Sequence, residues 1–121
     1  MKYAVLIVDD DKLVNEFLTE TLTRAGYKCV SAFSGEEAIT RFKAQTFDIV
    51  LTDLKMREMD GLTLAALVHE QYPNTHIIML TAFGSEVLND STPNPAQLVL
   101  EKPIDIKHIR EAALSALASR S

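Results

Sequence analysis

The stretch DIVLTDLKMREMDGL, residues 48–62, decides how the rest of the chain is read. Its first part, Asp48 to Thr52 (DIVLT), reads as a strand. The run ends in Asp53, and Asp60-Gly61 signals a turn. Leu62, Leu64, Ala65, Leu67 and Val68 then follow helical spacing until Pro73 closes the segment. Strand, acidic end, loop and helix form a unit, and the chain repeats that alternation on either side.

Upstream, Tyr3 to Val8 reads as the first strand and ends in Asp9, Asp10 and Asp11. Leu13, Phe17, Leu18, Thr21 and Leu22 give the expected buried face of a first helix, with Gly26 in the C′ place. Lys28 to Ala32 is a second, weaker strand. Ser34 and Glu37 make a capping box, and Ala38, Ile39 and Phe42 form the stripe of the next helix. Downstream, His76 to Thr81 is a fourth strand and Gln97 to Leu100 a fifth. Asp105 to Ala118 is a last helix, with Ile106, Ile109, Ala113, Leu114 and Leu117 on one side. Residues 84–95, GSEVLNDSTPNP, interrupt the pattern and leave room for about one helical turn from Ser85 to Leu88. Alternating strands and helices predict an α/β fold: a three-layer, doubly wound, mainly parallel sheet with a shortened or irregular fourth helix. One domain over residues 1–121 is expected.

Composition narrows the function. Of 121 residues, 47% are hydrophobic and 24% charged, the balance of an ordinary globule. A formal charge of −5 argues against direct nucleic-acid binding, which needs a basic face. The single cysteine, Cys29, excludes an internal disulfide framework. No apolar run is long enough to span a membrane, and the first one ends in aspartates rather than a cleavage site. The expectation is a cytoplasmic protein.

In such sheets, ligands bind beyond the carboxyl ends of the strands. Strand one carries Asp9, Asp10 and Asp11 there, strand three Asp53, strand four Thr81, and strand five Glu101 and Lys102. Gathered carboxylates repel one another unless a cation joins them, and Mg2+ suits a few carboxylates with waters completing its shell. An ammonium and a hydroxyl add partners for anionic oxygens. This set stabilises a phosphoryl group in transfer, and a carboxylate can itself be the nucleophile. Each piece has a plainer reading: the aspartate triplet as a solvated turn or helix cap, with Asp11 as that cap, and Asp53 as a turn residue. Met56 and Met59 read as packing groups. His69, His76 and Cys29 show no metal spacing. The combination at four strand ends favours the site.

IVDDD after the first strand, DIVLTDLKMREMDGL around the third, IIMLTAFG at the fourth and EKP at the fifth resemble the receiver domain of two-component response regulators, CheY-like proteins with the flavodoxin-like sheet order 2-1-3-4-5. The match spans nearly the whole chain. The resemblance implies that Asp53 accepts a phosphoryl group. It implies Mg2+, or Mn2+ in its place, held by Asp10 directly, Asp9 through water, Asp53, and the backbone carbonyl of Lys55. It further implies that Thr81 and Lys102 bind the phosphoryl oxygens. The donor it implies is a sensor histidine kinase or histidine phosphotransfer protein, or a small acyl phosphate. A downstream protein or fused output domain would read the switch, and a homodimer is left open. Several positions depart from the family's pattern: Arg57 stands where proline is usual, Val99 where an aromatic is common, and Ile104 where phenylalanine is common. Asn89 to Pro95 erode the fourth helix, whose surface family members use for output. Lys55 and Phe83 flank the expected attack path.

Other readings stay open at this point. A degenerate receiver would bind proteins without phosphorylation. A small aspartate-based phosphatase would need a second acid two residues after the nucleophile, where Lys55 stands. A flavodoxin-type cofactor binder would need a phosphate loop where three aspartates stand. The expectation is that the chain is no enzyme beyond its own phosphorylation and slow hydrolysis.

Overall fold

The computed structural model describes residues 3–53, 61–81 and 98–101. In chain order these form β1 (Ala4–Val8), α1 (Lys12–Arg24), β2 (Lys28–Ala32), α2 (Gly35–Ala44), β3 (Ile49–Asp53), α3 (Gly61–Gln71), β4 (His76–Thr81) and β5 (Leu98–Glu101). The strands pair in parallel in the order β2-β1-β3-β4-β5. The expected fourth and last helices, at 85–88 and 105–118, lie outside the described residues.

Each helix starts and stops for a local reason. Asp11 caps α1, its carboxylate accepting from the N–H groups of Leu13 at 3.1 Å and Val14 at 3.3 Å. At the other end Gly26 takes φ +104°, which costs a residue without Cβ little. The N–H of Gly26 donates to the Thr23 carbonyl and that of Tyr27 to the Leu22 carbonyl, the paired bonds of a Schellman stop. Ser34 caps α2 by accepting from the Glu37 N–H at 3.0 Å, and the Glu37 carboxylate reaches back to the Phe33 N–H at 3.3 Å.

Period-two alternation divides the core into two layers. Val5, Ile7, Ile49, Leu51, Ile78 and Leu80 face α1 through Leu18 and Leu22. Leu6, Val8, Val50, Ile77 and Met79 face the other way, against Ala38 and Phe42 of α2 and Leu64, Ala65 and Val68 of α3. Phe42 also stacks on Tyr72 at 4.6 Å and meets Phe47 edge-on at 5.1 Å. At the amino edge, Asp48 ties the strands together: its carboxylate accepts from the Ala4 N–H at 2.7 Å and its carbonyl from the His76 N–H at 3.0 Å.

One expectation needs correcting. Leu13 and Phe17 do not belong to the buried face of α1; they are 78% and 51% exposed. The buried row is Asn15, Leu18 and Leu22. The row with Asn15 faces the sheet, where its amide reaches the Ile7, Asp9 and Ala32 carbonyls, while Leu13 and Phe17 turn outward. Strand bounds also shift by one residue: β3 runs to Asp53 rather than stopping at Thr52, and β5 to Glu101 rather than Leu100.

Candidate metal and phosphoryl-transfer site

Register brings the acidic groups together. Val8 pairs with Thr52, so the next residue on each strand, Asp9 and Asp53, stand side by side at the carboxyl edge. On the other flank Asp53 pairs with Leu80, one residue before Thr81, and Thr81 pairs with Glu101. Asp9 and Asp53 continue the rows of Val5–Ile7 and Ile49–Leu51, the α1 side of the sheet.

Asp9, Asp10 and Asp53 each offer a carboxylate oxygen, and these oxygens lie within 4.8 Å of one another. Asp9 is fully buried, Asp53 is 8% exposed and Asp10 is half-buried. Oxygens bound to one Mg2+ at about 2.1 Å stand at most about 4.2 Å apart. Three carboxylate oxygens all within 4.8 Å of one another are near enough to share one such ion, directly or through a bound water. All-oxygen donors of this charge suit a hard divalent ion, and the donor set fits Mg2+.

The loop holding these groups is fixed by its own hydrogen bonds. One Asp9 carboxylate oxygen accepts from the Asp11 N–H at 2.9 Å. The Asp9 N–H donates to the Ala32 carbonyl at 3.2 Å, tying the end of β1 to the end of β2. Asn15, fully buried, closes the arrangement from α1. Its amide nitrogen lies 2.8 Å from the Ala32 carbonyl oxygen, 3.1 Å from that of Asp9 and 3.4 Å from that of Ile7. The Asn15 amide oxygen accepts from the Thr19 hydroxyl at 3.2 Å, and that hydroxyl pairs with Ser31 at 2.9 Å. The sequence reading missed Asn15. The available signal was an amide in line with Leu18 and Leu22 at three- and four-residue spacing.

The expected site residues thus divide. Asp9, Asp10 and Asp53 converge. Thr81 sits in β4 in register with Glu101. Lys55 and Lys102 lie outside the described residues, as do Arg57, Phe83 and Ile104. Cys29 stands apart in β2, where burial pushes its thiol above the ordinary value and a hydrogen bond with Thr23 pulls it partly back.

Comparison with known proteins agrees with this arrangement. Residues 5–114 match the model of the response regulator receiver domain. The response regulator receiver protein CpdR of Brucella abortus is 33% identical over 106 residues, covering 87% of this chain and 88% of CpdR. The transcriptional regulatory protein ZraR of Salmonella typhimurium is 34% identical over 118 residues, covering 97% of this chain but only 27% of ZraR. Among solved structures, the response regulator TrrA of Thermotoga maritima, in complex with Mg2+-BeF, superposes with a TM-score of 0.86 at 29% identity, covering 96% of this chain and 99% of TrrA. A CheY-like receiver from Methanospirillum hungatei, 24% identical with a TM-score of 0.89 over 99% of this chain and 97% of its own, shares the fold. The chain belongs to the response regulator receiver domain family of two-component systems. No helix among the described residues is long and apolar enough to cross a membrane.

Proposed function

We propose that this receiver is a phosphorylation-driven switch whose acceptor is Asp53. The observation that carries the reading is the gathering of Asp9, Asp10 and Asp53 oxygens within 4.8 Å at the carboxyl edge of the sheet. Support also comes from TrrA, a family member whose structure holds Mg2+-BeF.

Asp10, Asp53 and the Lys55 carbonyl would hold a Mg2+ or Mn2+ ion, with Asp9 acting through water. The bound ion supplies charge neutralisation where phosphoryl and carboxylate oxygens approach. A carboxylate oxygen of Asp53 attacks phosphorus on a phosphohistidine; the P–N bond breaks, and the imidazole leaves with the bonding pair and takes up a proton. Thr81 donates a hydrogen bond to one phosphoryl oxygen and Lys102 pairs with another. The added charge shifts an existing two-state equilibrium at the strand ends and so changes partner binding. Hydrolysis of the acyl phosphate resets the protein. In this reading the chain catalyses its own phosphorylation and slow dephosphorylation and turns over no general phosphoester, since Lys55 stands where a phosphatase needs an acid.

The donor is a sensor histidine kinase or histidine phosphotransfer protein in the cytoplasm. Leu13 and Phe17, an exposed i, i+4 apolar pair on α1 directly after the acidic loop, give such a protein a surface to rest on. Output passes to a separate protein or a fused domain, residues 1–121 forming the receiver unit. The test is incubation with acetyl phosphate and Mg2+ followed by peptide mapping. The phosphoryl group is expected on the peptide containing Asp53; a label elsewhere, or none, overturns the reading.

A further inference from the structure

We propose that Asn15 is a positioning residue for the acidic pocket, setting the backbone on which Asp9 and Asp10 approach the cation; this rests on the metal-dependent reading above. Three carbonyl oxygens, those of Ile7, Asp9 and Ala32, surround one end of the Asn15 side chain. An amide oxygen in that place would face three acceptors, so the network assigns the nitrogen there. Its two hydrogens serve carbonyls at the ends of both β1 and β2, where the ladder runs out and the chain turns toward α1. The Asp9 carbonyl is the peptide group linking Asp9 to Asp10, so this bond fixes the link between the two acidic side chains. The opposite end of the amide is held by Thr19, itself paired with Ser31 of β2.

Buried polar groups left without partners are costly, and a peptide that loses its donor rotates to find another. Rotation at Asp9–Asp10 would move both carboxylates relative to Asp53. Groups that hold ligands in place from behind commonly alter metal affinity by about tenfold or more when removed. Asn15 is therefore expected to act on cation affinity itself, not only on stability.

The experiment titrates MgCl2 into metal-free protein and follows backbone amide shifts, with exchange of the Asp11 amide hydrogen as a second, metal-free readout. Asn15→Leu keeps the approximate shape and removes both donors. Leu22→Ala, on the same helix away from the pocket, serves as the destabilised control. At a temperature where all are folded, Asn15→Leu should weaken Mg2+ binding about tenfold and speed Asp11 exchange, while Leu22→Ala stays within about twofold of the parent. The proposal is overturned if Asn15→Leu binds within about twofold of the parent, or if Leu22→Ala weakens binding equally. Should Asn15→Leu fail to fold, Asn15→Ser is read by the same criterion: a loss above about twofold supports the proposal, and a smaller one overturns it. A parent protein that ignores Mg2+ defeats the metal reading and this inference together. A parent that binds it while the Asn15 variants match it defeats this inference alone.

Discussion

The amide N–H of Asp11 donates to the carboxylate of Asp9 across 2.9 Å, so the residue that caps α1 is also the residue that steadies a fully buried acid. One turn of chain thereby couples the start of a helix to the geometry of the pocket. The acidic loop is built rather than merely solvated.

Three carboxylates within 4.8 Å repel one another when no cation is present. Asp10→Asn is therefore expected to raise the melting temperature in EDTA by ~3 °C, the response to roughly 1 kcal/mol in a domain of this size. The same variant should lose the stabilisation that Mg2+ gives the parent. Differential scanning calorimetry with EDTA and with MgCl2 checks both signs.

Leu13 and Phe17 are exposed, so removing their side chains should leave stability within about 0.5 kcal/mol of the parent. Transfer from a protein phosphodonor should slow in Phe17→Ala, while labelling by acetyl phosphate stays unchanged. Measuring both rates on one preparation separates docking from chemistry. Equal slowing with both donors would remove Phe17 from the docking surface.

Leu6 is fully buried between β1 and the helices α2 and α3. Leu6→Ala should cost about 3 kcal/mol, whereas Ser34→Ala, which removes the α2 cap, should cost about 1 kcal/mol. Urea unfolding curves resolve the two.

Cys29 has its thiol raised chiefly by burial. The folded state then keeps a proton that the unfolded chain releases at its ordinary value. The stability this contributes is complete below that ordinary value and disappears as pH climbs through the raised one. Alkylation by iodoacetamide near neutral pH should be slower than for the urea-unfolded chain, and destabilisation from this group should appear only under alkaline conditions.

Much of the architecture could be read in the residues because local signals and burial agree. β4 falls where its branched apolar run placed it and the weaker β2 where the alternation expected it, and Asp11, Gly26 and Ser34 mark helix ends by chemistry that needs no tertiary partner. The first helix was harder. Leu13 and Phe17 carry the stronger apolar signal, but the core selects Asn15, Leu18 and Leu22, because an amide there answers strand-end carbonyls that no sequence pattern displays. The acidic pocket was legible as a convergence of strand ends, since parallel register makes residues after paired positions neighbours. The support from Asn15 showed only as an amide in line with Leu18 and Leu22; which carbonyls it meets depends on how α1 lies across two strand ends.

The central claim is that Asp53 receives the phosphoryl group in a cation-dependent reaction. Intact-mass measurement of the parent and of Asp53→Asn in acetyl phosphate, each with MgCl2 and with EDTA, tests it most directly. A single added phosphoryl group on the parent, in MgCl2 only, is the predicted result. Equal labelling of Asp53→Asn, or labelling of the parent that persists in EDTA, would contradict it.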